Sequence, residues 1–324
     1  MNFIAMLVYI IVQIIFIPFA IIGVIIVYYK QILVSKKLGV SQTAIEIING
    51  RWTMHLFGMR DDVATVKLIK TLPNTSIFGL WLFLVPFYLQ YKISGKNKIY
   101  PVIAPPGNEG VANILMNRTV YFDGLIGKAR DGAEQFVIMG AGLDTRCYGD
   151  LRDSGMKCFE LDQTTTQQFK IDHLHKADID TSHVTFVEVD FSTDHWYQKL
   201  EAAGYDPATK TIFLWEGVTL YISEADVRNT LKEIKAHSGP GSMVIADVYA
   251  LGFVTGDLFP AMKKSLALLK LTDEEFGFGI DFASDHEANL KSFLESEGAK
   301  LEDAYFIGSN TKKGIWMVVA EIVV

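Results

Sequence analysis

The sequence predicts an α/β fold: a seven-stranded, mostly parallel sheet with a C-terminal antiparallel hairpin, plus an N-terminal transmembrane helix. Three observations predict it. From about residue 130 onward, short apolar runs alternate with helical patterns, and strands alternating with helices build a parallel sheet covered on both faces. The last two runs are joined only by "GSNTKKG" (308–314), a link too short for a crossover, so they pair antiparallel. The stretch "FIAMLVYIIVQIIFIPFAIIGVIIVYY" (3–29) has Gln13 as its one strongly polar residue.

The elements follow in order. About 20 apolar residues suffice to cross the hydrocarbon core of a bilayer, and residues 3–29 exceed that. A secretory signal would have a basic start, a shorter apolar run and a small-residue cleavage site. Here no Lys or Arg precedes Lys30, and no such site follows. A buried core helix is the blander reading, but the run is apolar on every face. We therefore expect a membrane anchor at 1–35, with Lys30, Lys36 and Lys37 on its cytoplasmic side, and a second unit at 36–324. An apolar insertion occupies 74–117. Its core, "SIFGLWLFLVPFYLQYKI" (76–93), is short for a span, contains Pro86 and is flanked by Lys67, Lys70, Lys92 and Lys96. It reads either as an interfacial or re-entrant helix with Trp81 and Tyr88 near the headgroups, or as a lid helix on the protein's own core.

Strands are expected at 135–140, 157–161, 184–189, 211–215, 242–248, 304–307 and 314–322. Between them, "SEADVRNTLKEIKAHSG" begins at a Ser223 cap and stops at Gly239, and "SDHEANLKSFLESEG" begins at Ser284 or Asp285 and stops at Gly298. There is no internal repeat and no low-complexity linker.

Composition narrows the function. A chain of 324 residues holds one large domain or two small ones. A net charge of −7 gives no basic footprint for nucleic acid. The only two cysteines, Cys147 and Cys158, make neither a disulfide framework nor a zinc site, so no metal is expected.

The chemistry starts at "FVIMGAGLDTRCYGD" (136–150), an apolar strand running into a glycine turn. Gly140 and Gly142 let the chain turn tightly and bring backbone N–H groups close to a ligand. A dinucleotide fingerprint needs a third glycine three residues on; here that residue is Thr145, which disfavours a nicotinamide oxidoreductase. The second strand ends with Glu160 and Asp162, about 20 residues past the glycines, where an acid can accept both ribose hydroxyls. The third ends with Asp190 and Phe191, and the fourth with Glu216. One acid at a strand end is ordinarily solvated surface. Several on successive strand ends converge on the mouth where open α/β sheets bind ligands.

The stretches "RTVYFDGLI" (118–126), "QFVIMGAGLDTRCY" (135–148), "FELDQ" (159–163), "VEVDF" (187–191) and "LWEGVTLYI" (214–222) resemble the leucine carboxyl methyltransferase / polyketide-synthase-associated (PPM-type) family. That family is a branch of the class I, Rossmann-like methyltransferases that use S-adenosyl-L-methionine (SAM). "SQTAIEIINGRW" (41–52) is similar to the family's N-terminal helix, and residues 276–301 to its late segment. The resemblance covers most of the chain from about residue 40. The first 35 residues lie outside the usual core, and 74–117 is unusually apolar.

The resemblance implies SAM as cofactor and assigns roles. Arg118 would grip the methionyl carboxylate, a planar anion matched to a guanidinium fork. Gly140 and Gly142 would line the methionyl part. Asp162 would hold the ribose, with Glu160 turned back into the sheet by strand alternation. Asp190 would meet the adenine amino group beside Phe191, and Glu216 would lie near the methionine amino group. Thr43 and Arg51 would sit on a helix closing over the cofactor, Arg51 reaching either the carboxylate or a salt bridge within the lid. Asp144, Arg146 and Tyr148 read as holding the turn together or packing.

The resemblance favours O-methylation of a carboxylate or a hydroxyl. No residue is assigned as catalytic; Glu216 and Tyr221 are the candidates. A carboxylate acceptor needs no base, whereas a hydroxyl does, and His55, His195 and Glu216 are available. The anchor suits a lipid-like or membrane-associated acceptor, with the bilayer itself as partner. The competing reading is a non-catalytic scaffold of the same fold in a membrane complex.

Overall fold

Apolar side chains on both faces send the first strand to the middle of the sheet. In the computed structural model, which describes residues 3–193, 195–258, 262–272 and 274–324, β1 (Gln135–Met139) is buried at all five positions. It is flanked by β2 (Lys157–Asp162) and β4 (Thr211–Trp215). With β3 (Val184–Glu188), β5 (Met243–Tyr249), β6 (Lys300–Ile307) and β7 (Met317–Val323), the sheet order is β3-β2-β1-β4-β5-β7-β6. β1 to β5 run parallel; β7 enters antiparallel between β5 and β6. The order reverses at β1, between β2 and β4, which opens a crevice at the carboxyl ends of those strands.

Strand alternation divides the core into two layers. Phe136, Ile138, Leu214, Ile245 and Val319 face one layer, packed with Trp52 and Phe122. Val137, Met139, Phe213, Val244 and Val318 face the other, with Trp196, Leu231 and Leu294.

The helices carry the expected signals, with shifted ends. α1 (Phe3–Tyr28) does not stop near residue 29. It continues through a π-turn at Tyr29–Val34 into α2 (Ser35–Leu38), and Gly39 closes it. α3 (Gln42–Leu56) is capped by Ser41, α4 (Val63–Ile69) by Asp62 and α5 (Ile77–Ser94) by Ser76; α6 (Ile114–Ala129) leads into β1. α7 (Thr164–Lys176) follows β2 and α8 (Trp196–Ala202) follows β3. α9 (Glu224–Ala236) has the Ser223–Asp226 capping box and ends at His237, two residues before the expected Gly239. α10 (Leu251–Val254) and α11 (Met262–Leu269) follow β5, and Asp285, not Ser284, caps α12 (His286–Ser296). β6 begins four residues earlier than expected, because Lys300 and Glu302 point outward from an edge strand and break the apolar run.

The apolar segments at 3–28 and 77–94 meet. α1 and α5 run antiparallel, and a Cβ on Gly23 would lie 2.4 Å from the carbonyl oxygen of Gly79, so the backbones touch. Tyr9 and Phe87 pack with ring centroids 5.5 Å apart. The other side of α5 lies on the domain. Trp81 stands edge-on to Trp52 at 6.0 Å and to Tyr88 at 5.1 Å, and Tyr88 edge-on to Phe57 at 5.8 Å. Trp81 and Tyr88 are half-buried, each against an aromatic ring on α3 or just after it. α5 is a helix laid on the core that also packs against α1. α1 stays open: Phe3, Ile4, Leu7, Ile11, Ile14, Ile22 and Ile25 are exposed. Phe3–Leu38 and Ile77–Ser94 are both long and apolar enough to cross a membrane.

Candidate active site

The crevice is built from the turn after β1. Gly140 adopts φ +72°, and its N–H and that of Ala141 donate to the Leu161 carbonyl at 2.8 and 2.9 Å. A Cβ on Gly140 would lie 2.3 Å from Cγ2 of Val218, so the β4 loop closes directly over bare backbone. Gly142 N–H donates to Asp162 Oδ2 at 2.5 Å, and Gln163 N–H to Oδ1 at 2.7 Å. Burial raises the Asp162 pKa, with the two N–H groups pulling it back. Each carboxylate oxygen keeps lone pairs for a diol.

Glu160 points the other way. It pairs with Lys170 at 2.6 Å, both side chains 1% exposed. Burial, against the pull of Lys170, pushes its pKa up to about 7.

At the mouth of β4, Glu216 is gripped by three guanidinium groups: Arg146 at 2.7 Å, Arg51 at 3.0 Å and Arg118 at 3.0 Å. Asp144 joins Arg51 at 2.9 Å and Arg146 at 2.5 Å. Of the two roles open to Arg51, the structure shows the salt bridge. Arg118 also donates to the Tyr249 hydroxyl at 2.7 Å and lies 3.3 Å from Asp247. Burial alone would raise the Glu216 pKa; Arg146, Arg51 and Arg118 overcome it and hold it at about 2. Glu216 is consequently a poor proton acceptor. Burial pushes Asp247 up to about 6 despite Arg118.

Arg51 Nε, Arg118 Nε and Arg146 Nη2 are buried without a hydrogen-bond partner among the described residues. These unspent donors beside a glycine cradle fit the carboxylate of an amino acid moiety, and the adjacent Asp162 fits a ribose diol.

The remaining expected residues surround this centre. Tyr221 donates to Thr43 Oγ1 at 2.9 Å, Thr43 donates to Glu274 at 3.0 Å, and Ser41 donates to the same carboxylate. Burial, reinforced by Glu274, raises the Tyr221 phenol. Asp190 accepts from the Ser192 N–H at 3.0 Å and hydroxyl at 2.6 Å, shaping the turn after β3, and Phe191 is half-buried against Trp196 at 6.0 Å. His55 Nδ1 accepts the Asp62 N–H at 3.0 Å, and His195 is exposed at the start of α8. Neither has a partner in the arginine cluster. Among the described residues no group of His, Cys, Asp or Glu is placed to hold a metal.

Sequence reasoning missed Asp247 and Tyr249, the partners of Arg118. The signal was "ADVY" (246–249), an acid breaking an apolar strand at its carboxyl end.

Comparison with known proteins agrees with this geometry. The leucine carboxyl methyltransferase family model matches residues 96–235, from just after α5, within the insertion, to α9. A Streptomyces avermitilis protein named as a SAM-dependent methyltransferase is 31% identical over 170 residues, 51% of this chain and 59% of its own length. YktD of Bacillus subtilis, named likewise, is 35% identical over 118 residues, covering 36% of this chain and 38% of its own. A Mycolicibacterium smegmatis protein of the same naming is 31% identical over 223 residues, 64% of this chain and 71% of its own. The chain thus spans less than two thirds of the first two relatives. Among solved structures, an O-methyltransferase family protein from Burkholderia thailandensis aligns with a TM-score of 0.45 at 13% identity, over 65% of this chain and 57% of that one, a likeness too distant to bear on function. From the strand order, the glycine cradle and the matched sequence together, the chain belongs to the leucine carboxyl methyltransferase family of SAM-dependent methyltransferases.

Proposed function

We propose that this protein is a membrane-anchored SAM-dependent O-methyltransferase acting on an amphipathic, lipid-like or membrane-associated acceptor. The observation that carries the reading is the juxtaposition of the Gly140–Gly142 turn, the Asp162 carboxylate and three buried arginines with unspent N–H groups. When bound, SAM supplies a methyl group made electrophilic by its sulfonium.

Asp162 holds the ribose, and Gly140 and Gly142 give the methionyl chain a bare backbone wall. Arg118, steadied by Tyr249 and Asp247, presents its charge to the methionyl carboxylate, with Arg51 beside it. Glu216 stays ionised at neutral pH and can accept from the amino group. Asp190 and Phe191 flank the adenine side, while Thr43 and α3 shield the cleft from water. Positioning and exclusion of water supply most of the acceleration for such a transfer.

The open apolar face of α1 supports the membrane part, since contiguous exposed apolar surface of this extent marks a membrane or protein contact. Flotation of the full chain with liposomes, together with methyl transfer from labelled SAM into a membrane lipid extract, tests the reading. Protein that remains in the soluble fraction and labels only water-soluble acceptors would refute the membrane part.

A further inference from the structure

We infer that α1 does not cross the bilayer but lies in the plane of one leaflet, its open face among the acyl chains and lysines at both of its ends among anionic headgroups. The inference rests on the membrane part of the reading above and deepens it, naming the lipid and the way the chain meets it.

Contacts at both ends hold the helix along the domain. At the carboxyl end, Lys30 Nζ donates to the Pro73 carbonyl at 2.8 Å and Asn74 Nδ2 to the Ser35 hydroxyl oxygen at 3.0 Å. A Cβ on Gly79 of α5 would lie 3.0 Å from both the Gly23 carbonyl oxygen and a Val27 methyl. Toward the amino end, Tyr9 packs on Phe87 and Ala5 is fully buried. α5 is fixed to α3 in turn. Trp81 stands against Trp52, Tyr88 and Tyr91 stand against Phe57 at 5.8 and 5.6 Å, and Asn97 Nδ2 donates to the Phe57 carbonyl at 2.9 Å. Next to Trp52 in the chain is Arg51, paired with Asp144 and Glu216. If α5 crossed a bilayer, α3 would be drawn to the same depth with these charges, and charge at the bilayer centre is costly. α5 therefore lies along the membrane surface, and α1, antiparallel to it and in contact, lies there too.

The surface and its charge fit that placement. Leu7, Ile14 and Ile25 are exposed on the side of α1 turned away from Ala5 and Gly23, and Phe78, Leu89 and Ile93 form an exposed stripe along α5. In the sequence, basic residues follow the first apolar run and none precedes it. In the fold, the antiparallel pairing brings the exposed Lys92, Lys96 and Lys98 to its amino end, opposite Lys30, Lys36 and Lys37. With lysines at both ends, the charge asymmetry that orients a spanning helix is gone. Residues 1–45 and 63–108 hold eight lysines and no Asp, Glu or Arg, in a chain of net charge −7. An apolar face framed by lysines on an otherwise acidic protein is complementary to an anionic lipid surface.

Two measurements on the full-length protein test this. In the first, Leu7→Cys, Ile14→Cys and Ile25→Cys each carry a nitroxide, with the wild type as control for the buried Cys147 and Cys158. The proteins are bound to vesicles of phosphatidylcholine and phosphatidylglycerol, and depth is read from relaxation by oxygen against a water-soluble nickel chelate. All three labels should lie at one shallow depth, about 5–10 Å below the headgroup boundary. Ile14 at the bilayer centre, with Leu7 and Ile25 nearer opposite surfaces, would overturn the inference and leave a spanning anchor. Spin–spin broadening at Ile14 that survives dilution in lipid would give the face to a second copy of the chain, and would overturn it too. In the second, the protein chooses between phosphatidylcholine vesicles and vesicles that also contain phosphatidylglycerol. The wild type should favour the anionic vesicles by about tenfold or more, and the triple variant Lys92→Gln, Lys96→Gln, Lys98→Gln should lose most of that preference. Equal partition of the wild type, or a triple variant that partitions like it, would refute the anionic partner. Protein that binds neither vesicle would instead bring down the membrane reading, and this one with it, while leaving SAM binding untouched.

Discussion

Replacing Gly140 by Ala tests whether the turn after β1 is closed as tightly as the structure shows. Gly140 sits at φ +72°, where an L-residue with a Cβ costs about 1–2 kcal/mol. The new Cβ would also lie 2.3 Å from Val218 Cγ2, inside any real carbon–carbon contact, with the Val218 Cβ and Cγ1 both at 3.5 Å. Forcing a methyl into such a contact costs about 1–3 kcal/mol. Gly140→Ala should therefore lose about 2–5 kcal/mol. Val218→Ala removes the clashing methyl but not the backbone strain, so the double variant should recover about 1–3 kcal/mol of that loss. Denaturant titration of the four proteins in the same detergent gives the coupling energy directly. Additive effects of the two substitutions would refute the geometry, and so would a Gly140→Ala protein as stable as the wild type.

Other perturbations follow from the same contacts. Arg118→Lys should weaken SAM binding nearly as much as Arg118→Ala, because a point charge cannot serve Glu216, Tyr249 and Asp247 together; near-normal affinity in a calorimetric titration would move the carboxylate grip to Arg51. Glu216 is held at about 2 against an ordinary 4.5, which adds about 3 kcal/mol of stability present above pH 4.5 and lost as pH falls toward 2; Glu216→Gln should flatten that acid limb in isothermal denaturation. Glu160, raised to about 7, acts with the opposite sign: its contribution is full below about pH 4.5 and is lost as pH rises through 7, so Glu160→Gln should flatten the decline there. Gly23→Leu should push α1 off α5, since its Cβ would meet the Gly79 carbonyl at 2.4 Å, and should open residues 77–94 to limited proteolysis; an unchanged digestion pattern would show that the helices do not touch there.

The glycine turn, the strand-end acids and the apolar first helix were legible because each rests on a local rule. A strand followed by Gly140 and Gly142, alternation placing Glu160 behind Asp162, and an unbroken apolar run all survive intact in the structure. What could not be read was pairing at a distance. Nothing near Glu216 in sequence says that Arg51, Arg118 and Arg146, drawn from three separate segments, surround it and strip it of basicity. The partners of Trp81 and Tyr88 were hidden in the same way. An aromatic residue in an apolar helix suits a headgroup region and a core equally, and nothing local says that Trp52 and Phe57, more than 20 residues earlier, stand beside these two rings. Nor does the sequence show that α1 packs on the domain through α5, so that removing it would uncover the apolar flank of α5.

The central claim is that the crevice at the ends of β1, β2 and β4 holds SAM. Isothermal titration calorimetry of the full-length protein with SAM, and with NAD as control, tests it most directly. SAM should bind one per chain and NAD should not. Asp162→Ala should weaken SAM by about 5- to 150-fold, the equivalent of about 1–3 kcal/mol for lost charge-assisted hydrogen bonds. Binding of NAD in place of SAM, or a SAM affinity indifferent to Asp162, would contradict the account.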